Sequence, residues 1–327
     1  MLLIAWALAG CAPAERVETF APAGAGQRPD ADTGAPPPTY AVPGWPHLLA
    51  YHSCDFESNP CGNPANHRIH LAGSFDGLEW EPVDGLPDIS ASVPDILYRE
   101  GLLYLYAVPN LFRYEIASGT WLEPELISIQ GTGGTGFVDP CAVLDEDGGI
   151  RLFFLHADQQ GDPASCPAGE ASCTKSFRVA SEEPGSDGAV FGTPSEVLSV
   201  ELGQGQIAAD PEVFAHPGGY LMYISRGQAV QVFSSPGLEG PFELSGDLPG
   251  GFLVQSGGVP SGRYDPVEGL YWTLVTRHVS SDGRTDILLA LHEEVESLGS
   301  DDFVSLGLLD AFGETGLVSS PGLLYVE

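Results

Sequence analysis

The sequence predicts an all-β protein, a five-bladed β-propeller, on two observations. The first is a phrase repeated along the chain, in which a proline-containing strand start is followed by a glycine turn and an aromatic-rich strand. Its copies begin at Val93-Pro94-Asp95, Val138-Asp139-Pro140, Ala209-Asp210-Pro211, Gly258-Val259-Pro260 and Ser319-Ser320-Pro321. The second is a composition with 42 glycines, 28 prolines, 17% charged residues and no sustained helical periodicity. One hairpin cannot bury both of its faces, but several packed around an axis can.

The spacing of the copies divides the folded part into blades. They centre on residues 48–83, 93–128, 138–199, 208–246 and 252–306. We expect Ser319 to Val326 to add a strand to the first blade and close the ring, because closure removes exposed sheet edges. The copies that contain an acid carry it near the start of the first strand. Radial symmetry would gather these acids at one mouth of the central channel, which indicates a functional site.

The charge of the chain limits its partners. Its formal net charge is −33, and Lys175 is its single lysine. Because such a surface repels phosphate groups, we expect no nucleic-acid partner. The eight histidines form no recognisable metal motif, and Asp145-Glu146-Asp147-Gly148 is too short for a calcium loop and is typical of a hairpin turn. We therefore expect no metal and no cofactor, and we expect a monomer.

The N-terminal residues predict export and anchoring. Residues 1–10 are apolar, and Leu8-Ala9-Gly10-Cys11 resembles the bacterial lipobox, in which the cysteine becomes the lipidated N-terminus. We expect residues 1–10 to be a signal peptide and Cys11 to carry the lipid, with an ordinary apolar N-terminus as the alternative. Residues 11–43, rich in Ala, Pro and Gly, read as a tether, and the propeller domain spans 44–327. The expected location is the bacterial cell envelope, with the membrane as a partner through the lipid.

The other cysteines fit an oxidising compartment. Cys54 and Cys61 bracket one short loop, and Cys166 and Cys173 bracket another with the same separation. We predict a disulfide in each pair, since neither has the short C-x-x-C spacing of zinc sites. Cys141 lies in an apolar strand and is predicted to be a buried, reduced thiol.

The order of the motifs resembles a known group of enzymes. The motifs are Val93-Pro94-Asp95-Ile96, Val138-Asp139-Pro140 with Asp145-Glu146-Asp147-Gly148, Ser74 to Trp80, and Leu238 to Glu243. Together they resemble the five-bladed propellers of glycoside hydrolase family 43 and its relatives, the arabinanases, xylosidases and fructosidases. The resemblance implies three carboxylates, namely a base, an acid and a third acid that tunes the others. It also implies an inverting mechanism, in which one carboxylic acid assists the leaving oxygen while a carboxylate activates water.

The resemblance assigns two of these roles. Asp139 matches the tuning acid, and the segment Asp210-Pro211-Glu212 stands where the family carries its acid. The family has Glu before Gly-Pro, so the acid here is either Asp210 or Glu212, two residues on and on the same strand face. The family's base comes from the inner strand of the first blade, but Ser319 to Val326 contains no acid. Asp55 is a candidate base.

The predicted function is hydrolysis of glycosidic bonds in plant- or microbe-derived glycans. The alternative is a non-catalytic carbohydrate-binding or scaffold propeller on the cell surface, because the base is not identified. A further alternative is that Asp139 and Asp210 only bind backbone amides at strand starts. Six residues are candidates for substrate binding through hydrogen bonds and aromatic stacking: Asp95, His52, His156, Arg263, Trp272 and His278.

Overall fold

The computed structural model describes residues 45–55, 61, 63–132, 136–157, 163–246, 248–280, 283–308 and 316–326. The predicted signal peptide (1–10), Cys11 and the tether (11–43) lie outside the described residues. No helix within these ranges is long and apolar enough to cross a membrane.

Strands dominate the described residues. In chain order they are β1 (His47–Cys54), β2 (Arg68–Ser74), β3 (Trp80–Pro82), β4 (Asp95–Arg99), β5 (Leu102–Ala107), β6 (Asn110–Glu115), β7 (Thr120–Trp121), β8 (Glu125–Leu126), β9 (Ser128–Ile129), β10 (Phe137–Leu144), β11 (Ile150–His156), β12 (Ser172–Ser181), β13 (Val190–Phe191), β14 (Ser195–Gly203), β15 (Ala209–His216), β16 (Gly219–Ser225), β17 (Val230–Ser235), β18 (Glu243–Leu244), β19 (Phe252–Val254), β20 (Gly258–Asp265), β21 (Leu270–His278), β22 (Thr285–His292), β23 (Val304–Ser305) and β24 (Leu317–Tyr325). Three short 3₁₀ helices span Pro64–Asn66, Pro249–Gly251 and Ser300–Asp302.

The strands form the five predicted blades. From the axis outward their orders are β24-β1-β2-β3, β4-β5-β6-β7, β10-β11-β12-β14, β15-β16-β17-β18 and β20-β21-β22-β23. Neighbouring strands within these blades run antiparallel. The prediction of an all-β five-bladed propeller is confirmed.

Ring closure also follows the prediction. Strand β24 pairs with β1, so the first blade joins the C-terminal and N-terminal parts of the propeller. The predicted start of the fifth blade, at residue 252, is wrong. Strand β19 pairs with β17 of the fourth blade, because Leu253 and Val254 pack into the apolar cluster that holds Val230. The fifth blade begins at Gly258.

Apolar clusters between neighbouring blades hold the ring together. One cluster between the third and fourth blades contains Phe153, Phe177 and Met222, all fully buried, and Phe153 meets Phe242 edge to face at 6.1 Å. Corresponding clusters join the other neighbouring pairs of blades. Burial of apolar surface stabilises these contacts by roughly 25 cal/mol per Å². This radial packing fixes the five inner strands, β24, β4, β10, β15 and β20, around a central channel.

Both predicted disulfides are present. Cys54 and Cys61 have Cα atoms 5.6 Å apart, and those of Cys166 and Cys173 are 5.5 Å apart, within the range of a relaxed bridge. Cys141 is a free, buried cysteine on β10, as predicted.

Candidate active site at the mouth of the central channel

The inner strand of each blade has the same unusual backbone conformation at the channel. In each, a residue with left-handed backbone (positive φ) precedes a proline. We call these five residues the mouth ring: Val93 (φ 49°), Asp139 (54°), Asp210 (50°), Val259 (48°) and Ser320 (57°). In four blades the register between the inner and second strands shifts at this point, which is typical of a bulge. Positive φ is unfavourable for residues other than glycine, above all for β-branched ones. Its recurrence at all five positions indicates that the fold requires it.

The mouth ring narrows the channel to a neck. The ring, its prolines, Asp95 and Glu212 enclose a gap of only about 20 Å³. A gap of this size cannot admit a sugar ring. A glycan bound here can therefore only lie across the mouth.

Side chains hold the strained backbone of the ring in place. Three N–H groups of the ring donate to side chains of neighbouring second strands, each at 3.2 Å: Val93 to His52 Nδ1, Val259 to Ser225 Oγ and Ser320 to Thr276 Oγ1. The fourth blade differs, because the N–H of Asp210 donates to Asp139 Oδ2 at 3.3 Å. The carboxylate of Asp139 thus binds the backbone of the next blade and is at the same time part of the mouth.

Asp139 and Asp210 form the acidic pair of the mouth. Both residues are partly exposed. Burial of its carboxyl group raises the pKa of Asp210 well above its usual value, and the charge of Asp139 raises it further. A hydrogen bond from Ser225 lowers this pKa but does not offset the two other effects. Below this raised pKa, Asp210 carries a proton beside a second carboxyl group. This is the arrangement that a general acid requires.

A second ring lies two residues further along the strands. This inner ring consists of Asp95, Cys141, Glu212, Ser261 and Gly322. Four of its side chains accept an N–H from the next blade: Asp95 from Ala142, Cys141 from Val213 at 3.2 Å, Glu212 from Gly262 at 3.1 Å, and Ser261 from Leu323 at 3.2 Å. The series links the blades in order around the axis.

Gly322 is the exception in the inner ring, and packing explains it. A Cβ atom at Gly322 would lie 3.0 Å from the carbonyl oxygen of Pro94. A side chain would therefore clash with the neighbouring blade. By the pattern of the other blades, a side chain at position 322 would accept the N–H of Ile96. Because Gly322 has no side chain, Asp95 accepts this N–H instead.

The inner ring contains two of the predicted site residues, Asp95 and Glu212. They are 6% and 9% exposed. Burial raises the pKa of Asp95 to about 7, and burial followed by the charge of Asp95 raises the pKa of Glu212. Glu212 Oε1 also accepts the hydroxyl of Ser261 at 2.9 Å. The sequence left either Asp210 or Glu212 as the general acid. Of these two, only Asp210 belongs to the mouth ring.

The three predicted substrate-binding histidines lie at the mouth end of their strands. His156 is partly exposed and His278 is exposed, so both are accessible to a ligand. His52 is only 4% exposed and stacks on His67, with ring centroids 4.3 Å apart. Burial, followed by the nearby His67 and His70, lowers the pKa of His52, which keeps its Nδ1 free to accept the Val93 N–H.

Arg263 and Trp272 lie at the other end of the channel. Arg263 lies four residues after Val259 of the mouth ring, which corresponds to roughly 13 Å of extended strand. Trp272 is the residue that pairs with Arg263 on the neighbouring strand, so it lies at the same depth. Neither residue can touch a glycan that lies across the mouth. The six predicted substrate-binding residues therefore do not form one site.

The first blade contributes no acid to the mouth ring. Its inner strand β24 places Ser320, 4% exposed, in the mouth ring. Asp55, the candidate base, directly follows β1 and is partly exposed. The equivalence of Val93, Val259 and Ser320 to the two aspartates was not predicted, although each residue precedes the proline of its copy, which is the sequence signal for it. No group of three or more potential metal ligands occurs among the described residues.

The comparisons with known proteins concern the fold. No family model and no curated protein matches the chain. Among solved structures, the chain is similar to an endo-1,4-β-xylanase from Bacteroides thetaiotaomicron (14% identity, TM-score 0.51, 81% of this chain and 94% of that chain). It is also similar to a family 43 β-xylosidase/α-arabinofuranosidase from a compost metagenome, solved with xylotriose (13%, 0.51, 86% and 90%).

A third similar structure is a family 43 protein from a capybara gut metagenome (12% identity, TM-score 0.50), of which this chain covers 61%. At these identities the likeness establishes a shared fold, the propeller of family 43 glycoside hydrolases. The resemblance inferred from the sequence is confirmed at that level.

Proposed function

We propose that this protein hydrolyses glycosidic bonds of a glycan that lies across the mouth ring. The observation that carries the proposal is the pair formed by Asp139 and Asp210. Asp210 is the general acid, which donates its proton to the leaving glycosidic oxygen. Asp139 is the tuning group, because its charge keeps Asp210 protonated to higher pH. His156 and His278 are the mouth-end candidates for contacts with the sugar.

The base must come from outside the mouth ring, because the first blade presents Ser320 there. Asp55 lies at the mouth end of the same blade and is our candidate for this role. An inverting hydrolase holds its acid and base about 6.5–9.5 Å apart, so that water fits between the base and the sugar. The first and fourth blades are not neighbours, which favours such a spacing for a base on the first blade.

The substrate class rests on the similar proteins. Their names specify a xylanase and a β-xylosidase/α-arabinofuranosidase, one of them solved with xylotriose. We propose xylose- or arabinofuranose-containing glycans as the first substrates to test. Aryl xylosides and aryl arabinofuranosides report hydrolysis directly. Turnover by the wild type that falls in Asp210→Asn, with Asp301→Asn on the exposed surface as the matched control, supports the proposal.

A second candidate function is non-catalytic glycan binding, and Ser320 is the observation that favours it. A ring without a base can still bind sugars through its polar groups. This candidate predicts no turnover of any aryl glycoside, together with saturable binding of xylo- or arabino-oligosaccharides that Asp139→Asn and Asp210→Asn both weaken.

We also propose that the protein is exported and anchored by a lipid on Cys11. The lipobox-like Leu8-Ala9-Gly10-Cys11 motif is the main support. The two disulfides agree with this location, because such bonds persist in oxidising compartments.

A further inference from the structure

On the side of the neck that faces away from the mouth, the channel widens into a second cavity. This lower chamber has a volume of about 430 Å³ and is lined by all five inner strands. Ligand pockets commonly have volumes of about 300–1,000 Å³. Asp95, Cys141 and Glu212 of the inner ring form its floor. Its wall consists of Leu97, Val143, Phe214 and Leu324 from four blades and Arg263 from the fifth.

Arg263 is a cation in an otherwise apolar wall. Its side chain is 11% exposed, and its guanidinium carbon lies 4.4 Å from the ring centroid of Trp272 and 4.3 Å from that of Tyr325. A guanidinium that stacks on aromatic rings directs its N–H groups outward in its own plane, where they can form hydrogen bonds.

One of these N–H groups has no partner. Arg263 Nη2 donates to Asp265 Oδ2 at 2.9 Å, while Nε is buried without a hydrogen bond. The other oxygen of Asp265 accepts the N–H groups of Val267 and Glu268, so it is committed to a turn. A buried donor without a partner is unfavourable, and native structures seldom contain one without a reason.

We propose that the lower chamber binds a small amphipathic carboxylate, with its anionic group on Arg263 and its apolar body along Leu97, Val143, Phe214 and Leu324. The planar donor fork of a guanidinium matches the two oxygens of a carboxylate. The apolar wall excludes water from the rest of the ligand, which supplies the hydrophobic part of the affinity. This site is independent of the proposed hydrolysis, because the neck separates it from the mouth.

The other charged groups around the chamber permit an anion there. Asp95 and Glu212 face it from the floor, and burial raises the pKa of both, which favours their neutral forms at mildly acidic pH. The net charge of −33 repels anions from the general surface. Saturable binding of an anion would therefore report a specific site.

The test is calorimetric titration of the whole chain with octanoate at about pH 6, below the raised pKa of Asp95. Octanol and octylammonium serve as probes of equal length without the negative charge. We expect octanoate to bind one to one and more tightly than either probe. Arg263→Gln should weaken octanoate binding at least about tenfold, as for a lost charged hydrogen bond. The matched control, Arg178→Gln on β12, should leave it unchanged.

Leu324→Phe provides a second variant, which narrows the chamber without removing charge. It should weaken octanoate and octanol binding together. Thermal unfolding verifies that each variant is folded, and Leu324→Phe decides the question if Arg263→Gln does not fold. The proposal is overturned if octanoate shows no saturable binding, if octylammonium binds as tightly, or if octanoate affinity survives in the folded variants.

Discussion

The carboxylate of Asp139 accepts a hydrogen bond from the backbone N–H of Asp210, with Oδ2 and N 3.3 Å apart, although 71 positions separate the two residues in the chain. The bond crosses from the third blade to the fourth and supports the strained backbone of Asp210. It also brings two carboxyl groups together at the mouth. One residue therefore serves both the packing of the blades and the electrostatics of the proposed acid.

The first prediction concerns the pH dependence of hydrolysis. A general acid must be protonated, so kcat/KM should fall as pH rises through the pKa of Asp210. The charge of Asp139 contributes to raising that pKa. In Asp139→Asn the amide oxygen can still accept the Asp210 N–H, but the charge is gone. The alkaline limb of the profile should therefore move to lower pH.

Asp301→Asn, which removes an exposed carboxylate outside the mouth ring, is the control for general charge effects. Its profile should coincide with that of the wild type. An alkaline limb that stays in place, or moves upward, in Asp139→Asn would contradict the proposed role of Asp139.

The second prediction concerns the position without an acid. Ser320→Asp would place a carboxylate in the mouth ring on a blade that does not adjoin Asp210. Aspartate tolerates the left-handed backbone that Ser320 adopts. A correctly placed general base contributes about 10²–10⁴-fold. The candidate base Asp55 lies outside the ring, so we expect a carboxylate within the ring to raise turnover of aryl glycosides at least about tenfold. Ser320→Asn is the matched neutral variant and should show no rise. Equal activities of the two variants would argue against a base at this position.

The fold was accessible from the sequence because its repeat is local. Each copy shows its proline, its glycine turn and its aromatic strand within a few residues, and the resulting five blades and the closing strand β24 are present. Strand β19 was misassigned because its apolar side chains suit either blade. Only the packing of Val254 beside Val230 decides between them.

The site was accessible only in part, because sequence pattern does not specify depth in a channel. Asp210 and Glu212 lie on the same strand face, as alternation requires. Two residues of extended strand nevertheless separate the mouth from the inner ring, where Glu212 binds Ser261 and Gly262. In the same way, Arg263 faces the channel but at its opposite end.

The third prediction concerns stability. The pKa of Asp95 is about 7 in the folded state and about 3.9 in an unfolded chain. The folded state therefore binds more protons between these values, and the contribution of Asp95 to stability is lost as pH rises through this window. Asp95→Asn cannot ionise, and its amide oxygen can accept the Ala142 N–H. Its melting temperature should fall less than that of the wild type between about pH 4.5 and 7.5.

Differential scanning calorimetry of the two proteins in parallel makes this comparison. Acids that do not interact with Asp95 affect both proteins alike, so the difference between the two curves reports Asp95 together with Glu212, whose pKa its charge raises. Parallel curves would show that Asp95 is already ionised throughout the range and would refute its assignment as a protonated group.

The fourth prediction concerns anchoring. Cys11→Ser should move the protein from the membrane fraction to the soluble fraction of bacterial cells, because serine cannot carry the thioether-linked lipid. Cys141→Ser is a control that alters a buried cysteine and leaves the N-terminus intact. Membrane association that persists in Cys11→Ser would exclude lipidation at this position.

The most direct test of the central claim is the turnover of aryl xylosides and aryl arabinofuranosides by the wild type and Asp210→Asn. The amide cannot donate the proton, so kcat should fall by about 10²–10⁴-fold with a much smaller change in KM. Thermal unfolding and the Asp301→Asn control should show that the fold is unaffected. If the wild type hydrolyses these substrates and Asp210→Asn hydrolyses them equally well, the pair formed by Asp139 and Asp210 is not the catalytic site.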